Sequence, residues 1–307
     1  VKPPALNLAP LAVWRNPVLV KEIRTRMRGS RAFVLLSAHL LALGLALLAV
    51  YLILRSDNSL LNNPQQRGTF GKLIFGLMVW LELIMVSFTA PALTSGAIAL
   101  ERERQTFDLL RVTLLEARAL VLGKYLAGLV FVFLLLLTSL PLFSPAFILG
   151  GVLLEEILIA VLILAVSAVA FLAVGLFFSS LTSRALIATV LSYAFAILIN
   201  FGAPILMAVL LTLVGALNTG ASSPSPQTLR LLYYLGWLAV SLTPLPTMIA
   251  SEAALLDHQG PWLASLPLGD GQRLTMILPW VIYVVAYLLL SLILIWISAR
   301  RVGRAER

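Results

Sequence analysis

Long apolar runs alternate with short polar islands along this chain, and the lengths of the runs set its organisation. Residues 32–54, 73–100, 125–149, 157–178 and 275–298 are each apolar over roughly the 20 residues that a helix needs to cross the hydrocarbon core of a bilayer. A further run, 185–217, would be about 50 Å long as one helix at 1.5 Å per residue. Gly202-Ala203-Pro204 divides it into a span over 185–206 and an outer segment. Pro91 lies inside the second run, which is longer than a bilayer requires, so a kink or tilt is expected there. Pro141 and Pro145 break the far end of the third run, and Gly150-Gly151 closes it. Residues 229–250 are apolar too, but Pro244 and Pro246 interrupt them after about fifteen residues, which is short for a span and suits a re-entrant or surface helix. The expected fold is an all-α integral membrane protein of six spans, forming one domain over residues 1–307.

The polar stretches carry their own periodicity. Asn16-Pro17 starts a helix, N-cap then N1 proline, and Gly29-Ser30 ends it. Leu19, Val20, Ile23 and Met27 share one face of that helix, with Lys21, Arg24, Thr25 and Arg28 opposite. A basic amphipathic helix directly before a span is expected to lie in the membrane interface, its arginines toward lipid phosphates, so membrane lipids are partners. A helix of a soluble domain is the plainer alternative. Between the second and third runs lies the island 101–124, where Thr106 can cap a short helix and Asp108 sits in its first turn. Phe107, Leu110 and Leu114 fall at i, i+3 and i+7, while Asp108, Arg111 and Glu116 face elsewhere. So short a helix has no core of its own, and its stripe needs a membrane surface or a partner protein. Residues 218–274 are expected as a long outer loop, and 299–307 as a basic tail.

Composition agrees with the pattern. Mean hydropathy is +1.02, with 61% hydrophobic and only 11% charged residues, against about 25% charged in a soluble domain. The net charge of +9 invites a nucleic-acid reading, but the basic residues sit at the ends of apolar runs, which is topological information. Seven lie in 1–31, five in 101–124, one is Arg184 and four are in the tail. The other side keeps Arg55, Arg67, Lys72, Arg230 and Arg273, which accounts for all 22. That asymmetry predicts both termini in the cytoplasm; a seventh span over 229–250 would send the arginine-rich tail outside. No signal peptide is expected, because the first apolar run is too long for an h-region. Without cysteine there is no disulfide or thiolate chemistry.

Candidate chemistry is sparse. Glu82 lies well inside the second span, where a carboxylate either faces a polar cavity or is protonated. His39, in the first span, is its candidate partner if the two helices are neighbours; a structural hydrogen bond between helices is the bland account. Glu101, Arg102, Glu103 and Arg104 stand at the inner mouth of the second span. They form either a snorkelling, mutually paired cluster or a gate that relays movement. Gly123-Lys124 is not a phosphate-binding loop, since Tyr125 comes next and no glycine precedes at the required spacing. Two histidines, His39 and His258, are too few for a conventional zinc site. Glu155-Glu156 resembles the paired glutamates of membrane prenyl-protein proteases, but Ala160 stands where those carry arginine, so a polar outer loop is expected.

One constellation resembles a known family. Glu101-Arg-Glu-Arg-x-Thr106-x-Asp108-Leu-Leu110, followed after a short gap by Val121-Leu-Gly-Lys124, is similar to the signature of permease subunits of type-2 ABC exporters. Gln105 stands where glycine is usual there, and Leu114 where a proline commonly follows the threonine. The resemblance implies that 106–116 is a cytoplasmic coupling helix docking on a separate ABC ATP-binding subunit through Thr106, Phe107, Asp108, Leu110, Arg111 and Leu114. It also implies an elbow helix preceded by Asn-Pro, and pairing with a second permease subunit, identical or related. This chain would then be no enzyme and bind no cofactor, ATP and Mg residing on the partner, in a bacterial plasma membrane. Two other classes stay open: an intramembrane enzyme using Glu82 and His39, and a non-transporting scaffold or sensor that docks an ATPase.

Overall fold

The fourth apolar run becomes the helix against which the others pack. A computed structural model of the chain describes residues 16–28, 30–55, 64–106, 117–205, 208–209, 212, 226–256, 262–267 and 273–304. Its elements are α1 (Pro17–Met27), α2 (Ser30–Arg55), α3 (Pro64–Thr94), α4 (Ala99–Glu103), α5 (Ala117–Ser139), α6 (Ser144–Leu149), α7 (Leu154–Leu181), α8 (Ala185–Ile197), α9 (Pro226–Ser241), α10 (Pro244–Leu256), strands β1 (Leu263–Pro267) and β2 (Arg273–Ile277), and α11 (Pro279–Arg304). The sequence of α7 is apolar on every face, the mark of a helix with no water-facing side. It packs along both α3 and α11, and 61% of its most apolar window is buried, against 11% for α2. Among the described residues six helices are long and apolar enough to cross a membrane, which makes the chain a multi-pass membrane protein of all-α type.

Small residues set the crossing of α7 with α3. A Cβ on Gly175 would press on the Thr94 hydroxyl and lie 2.9 Å from Pro91 Cα and O, and one on Gly128 of α5 would lie 2.9 Å from a Leu172 methyl. The close approach lets the Thr94 hydroxyl donate to Leu172 O at 2.9 Å. In hydrocarbon, where helices gain nothing by hiding apolar surface from lipid, such backbone approach is the main source of association.

Several boundaries differ from the sequence expectations. The second span begins at Pro64, not at residue 73, since Pro64 at a helix start carries the fold through polar residues to the apolar run. Pro91 stays within α3; the interruption falls beyond it, at Ser95–Ile98. The third span starts at Ala117, not at 125, because Lys124 is buried with partners and does not mark a loop. A 3-10 turn, Leu140–Phe143, and α6 come next, where prolines 141 and 145 were expected to break the helix. Gly150 and Gly151 then take positive φ (81° and 87°) and end it.

The fifth span carries a π turn over Leu198–Gly202, ahead of the expected division at Gly202-Ala203-Pro204, and continues helical to Ile205. Within the expected outer loop, the re-entrant or surface helix expected over 229–250 takes the form of two helices, α9 and α10, whose axes meet at 114° ahead of Pro244. The same region also holds the antiparallel hairpin of β1 and β2, with Leu263 opposite Ile277 and Leu266 opposite Leu274. The last span starts at Pro279 and not at 275, because residues 273–277 belong to β2, and it stays helical to Arg304, into the expected tail.

Gly175→Ala is expected to lower the thermal unfolding midpoint of the detergent-purified chain, at an overpacking cost of about 1–3 kcal/mol. Gly44→Ala, mid-helix and with a Cβ that would meet nothing within 4 Å, is the control expected to leave the midpoint no lower and to raise it slightly through helix propensity, and fluorescence-monitored melts compare the two.

Candidate functional site

At the end of the bundle that carries α1, the polar island folds back on four helices. The break after α3 leaves backbone donors that a span would otherwise use internally, and the Ser179 hydroxyl accepts two of them, from Ile98 N at 2.9 Å and Ala99 N at 3.0 Å. The short α4 then ends in a Schellman arrangement, with Thr106 N donating to Glu101 O at 3.0 Å and Gln105 N to Arg102 O at 3.1 Å. This closure requires a left-handed residue, and Gln105 supplies it with φ 57°. Gln105 therefore occupies the conformation that glycine adopts at least cost. Thr106 donates its hydroxyl back to Glu101 O at 3.3 Å. Phe107, Asp108, Leu110, Arg111 and Leu114, and with them the short helix expected over 106–116, lie outside the described residues.

Lys124 is the centre of the junction. It is buried, yet its ammonium donates to Glu101 Oε1 at 2.6 Å and to Glu22 Oε1 at 3.0 Å. A buried cation with two carboxylates ties α4 and α1 to the same point on α5. The neighbouring Gly123 makes room for α1, since a Cβ there would lie 3.0 Å from the Val18 Cβ and 3.1 Å from the Asn16 amide. Asn16 caps α1 by accepting from Val18 N at 3.0 Å and donates its own amide to Ala119 O at 2.6 Å. Arg26 Nη2 reaches Leu93 O at 2.8 Å, on the last turn of α3.

The helix expected after Asn16-Pro17 therefore forms with the expected cap, but its buried side is shifted. Val18 and Leu19 are buried, Glu22 and Arg26 turn to the protein, and Val20 and Met27 remain exposed with Lys21, Arg24 and Arg28. Burial works against ionisation of Glu22, but the Lys124 charge and hydrogen bond, with Arg26 and Lys21 behind them, hold its carboxyl below the ordinary carboxylate range.

Of the two readings of the charged quartet, mutual pairing is not what the contacts among the described residues show. Glu101 takes Lys124; Arg102 donates to Ser180 O at 2.9 Å, at the end of α7. Glu103 accepts from Ala185 N at 3.0 Å, satisfying a first-turn donor of α8 where the helix dipole favours a negative charge. Arg104 is exposed. Ser95 and Thr189 add a hydroxyl pair at 2.9 Å between the break and α8.

The second candidate constellation also assembles. His39 Nε2 lies 3.2 Å from Glu82 Oε1, and the Ser139 hydroxyl donates to the same oxygen at 3.1 Å, joining α2, α3 and α5. All three side chains are buried, and among the described residues His39 Nδ1 and Glu82 Oε2 have no partner. An apolar cavity of about 530 Å³ between α5 and α7 is lined by Ser139 but by neither His39 nor Glu82. Among the described residues no group of His, Asp and Glu is arranged to hold a metal. At the opposite end, Glu156 is a buried partner of Lys72 at 2.9 Å and accepts from Leu153 N at 3.0 Å, rather than the polar loop residue expected; Glu155 is exposed.

Glu22, Lys124, Gly123 and Ser179 hold the junction together, and the sequence analysis gave none of them that structural part. The signal for the middle two was the Val-Leu-Gly-Lys run itself, a lysine inside a helix with no solvent-facing polar neighbours. No family model and no curated protein matches the chain.

The lowered pKa of Glu22 gives a pH test. Its ionised form contributes to seating α1 at pH values above the ordinary carboxylate value of 4.5, and that contribution is lost as pH falls through the lower folded value. A spin label at Val20→Cys, in a chain with no other cysteine, is expected to become more mobile as pH falls below 4.5. With Glu22→Gln the label is expected to be mobile throughout and insensitive to pH in that window.

Proposed function

We propose that the chain is the membrane-spanning subunit of an ATP-driven exporter of the type-2 ABC kind, which borrows its motor from a separate polypeptide. The observation that carries this reading is the Lys124 junction. The segment that continues beyond Thr106 is rooted in α4, and α4 is tied to the elbow by Lys124, to α7 by Arg102 and to α8 by Glu103. A push delivered to 106–116 would therefore be passed to three helices at once, with the break at Ser95–Ile98 as the compliant point. Positive φ at Gln105, where the family usually has glycine, supports the correspondence of this turn with the family's.

In this mechanism two copies, or this chain and a related one, enclose a pathway, and ATP-driven closure of the cytoplasmic subunits moves the 106–116 segments. The permease states must differ in their interaction with the ATPase for ATP to shift their populations. The lysine- and arginine-rich end would face the cytoplasm of a bacterial cell, with both termini there. ATP and magnesium would be bound by the partner.

Affinity purification of the tagged chain from its native membrane, coupled to mass spectrometry, tests this. An ATPase with a phosphate-binding loop is expected to co-purify, and its recovery to fall at least about tenfold, or ~1.4 kcal/mol, in a Phe107→Ala, Asp108→Arg, Arg111→Glu variant that is inserted normally. Equal recovery with the variant removes the coupling role. Substrate turnover by the chain without any ATPase would favour the His39–Glu82 enzyme, and ATPase binding without flux in vesicles a scaffold or sensor.

A further inference from the structure

The cavity between α5 and α7 is a groove of one chemical character with a different chemistry at its mouth. Leu134, Leu137 and Leu140 on α5 and the turn after it face Val161 and Leu164 on α7, and Met27 of the elbow lines the groove with them. From Val130 to Leu140 the lining covers about 15 Å of helix at 1.5 Å per residue. The volume of about 530 Å³ lies within the range of sites that hold a small organic ligand. Leu137 and Val161 are exposed, so the groove opens sideways to the surroundings of the bundle, which for spanning helices are acyl chains.

The elbow supplies the other half of the site. Although the sequence pattern put them on opposite faces, Arg24 is an i,i+3 neighbour of Met27 on the helix, and Arg28 is the extended C-cap residue directly after Met27, its N–H bonded to Arg24 O. Both arginines are exposed, in contrast to Arg26, which is committed to Leu93 and Glu22. An apolar slot bordered by the elbow that presents two guanidinium groups is complementary to a molecule with a hydrocarbon tail and an anionic head. Guanidinium forks match phosphate oxygens, and basic residues beside an apolar surface favour anionic over zwitterionic headgroups.

We infer that this groove is a binding site for an anionic phospholipid of the bilayer, one acyl chain lying between α5 and α7 and the phosphate held by Arg24 and Arg28. The seated lipid bridges the elbow to α7, an elbow–bundle link separate from Lys124. Ser139 is the polar residue in the groove wall, and through it the tail lies against the His39–Glu82 pair. The site needs only a membrane-embedded bundle and stands apart from the exporter reading.

Native mass spectrometry of the full chain, released from nanodiscs holding equal amounts of palmitoyl-oleoyl phosphatidylglycerol and phosphatidylcholine, tests it. The wild type is expected to retain one phosphatidylglycerol with a preference of about thirtyfold, the scale of two basic residues at an anionic surface. Arg24→Gln with Arg28→Gln, both exposed positions, is expected to bring the preference close to unity while tail binding persists. Ala165→Phe, which fills the groove wall, is expected to abolish retention of both lipids, and Val161→Phe repeats that test from an exposed position should Ala165→Phe fail to fold. No preference in the wild type, a preference untouched by the arginine substitutions, or displacement of the lipid by inorganic phosphate alone would each overturn the assignment.

Discussion

A lysine ammonium buried at the end of a hydrophobic helix has to find negative partners, and Lys124 finds one on each of two other segments. Taking a charge from water costs several kcal/mol even after relaxation, and only short, charge-assisted hydrogen bonds recover it. The 2.6 Å and 3.0 Å contacts to Glu101 and Glu22 do so. The consequence is geometric. The elbow helix, the start of the third span and the short helix after the second cannot move independently without exposing an unpaired charge. Gly123 and Asn16 serve that constraint, one clearing space for the elbow and the other bonding it to Ala119.

Elsewhere in the bundle neutral groups solve much of the same problem, beside the Lys72–Glu156 pair. Where helices are interrupted inside the apolar region, side chains take up freed backbone atoms, as hydrocarbon demands. Ser179 takes the donors at the Ser95–Ile98 break, and Tyr287 donates to Leu242 O between α9 and α10. Trp237 donates to Ile277 O at the end of β2. Among the described residues the His39–Glu82–Ser139 cluster leaves two buried atoms, Nδ1 and Oε2, without a hydrogen-bond partner, and Arg26 Nε, Glu101 Oε2 and Ser251 Oγ share that condition. A cluster satisfied on one side only is costly to keep, which sets it apart from the interhelical hydrogen bonds around it.

The spans were legible because membrane crossing demands long apolar runs, and those runs leave little room for error in their number. Their ends were less legible. Pro64 and Ala117 begin helices well before the apolar residues do, because polar residues such as Lys72 and Lys124 that find partners within the bundle need no loop. The hairpin escaped notice because Leu263–Pro267 is five residues long and ends in proline, below what alternation reveals. The His39–Glu82 pair was a candidate from residue type only, conditional on the two helices being neighbours, and it is the packing of α2 beside α3 that brings the side chains together. Glu22 carried no such mark: on a basic helix it looks like any solvated acid, and only the fold brings Lys124 to it.

Cysteine accessibility in living cells tests the account most directly, because the chain contains no cysteine of its own. Single cysteines at Val20, on the elbow, and at Arg111, in the segment that continues from α4, are to be exposed to a membrane-impermeant maleimide before and after permeabilisation. If the junction gathers the elbow and the lever on the motor's side of the membrane, both positions stay unlabelled in intact cells and react together once the membrane is opened. Labelling of either position from outside would contradict it.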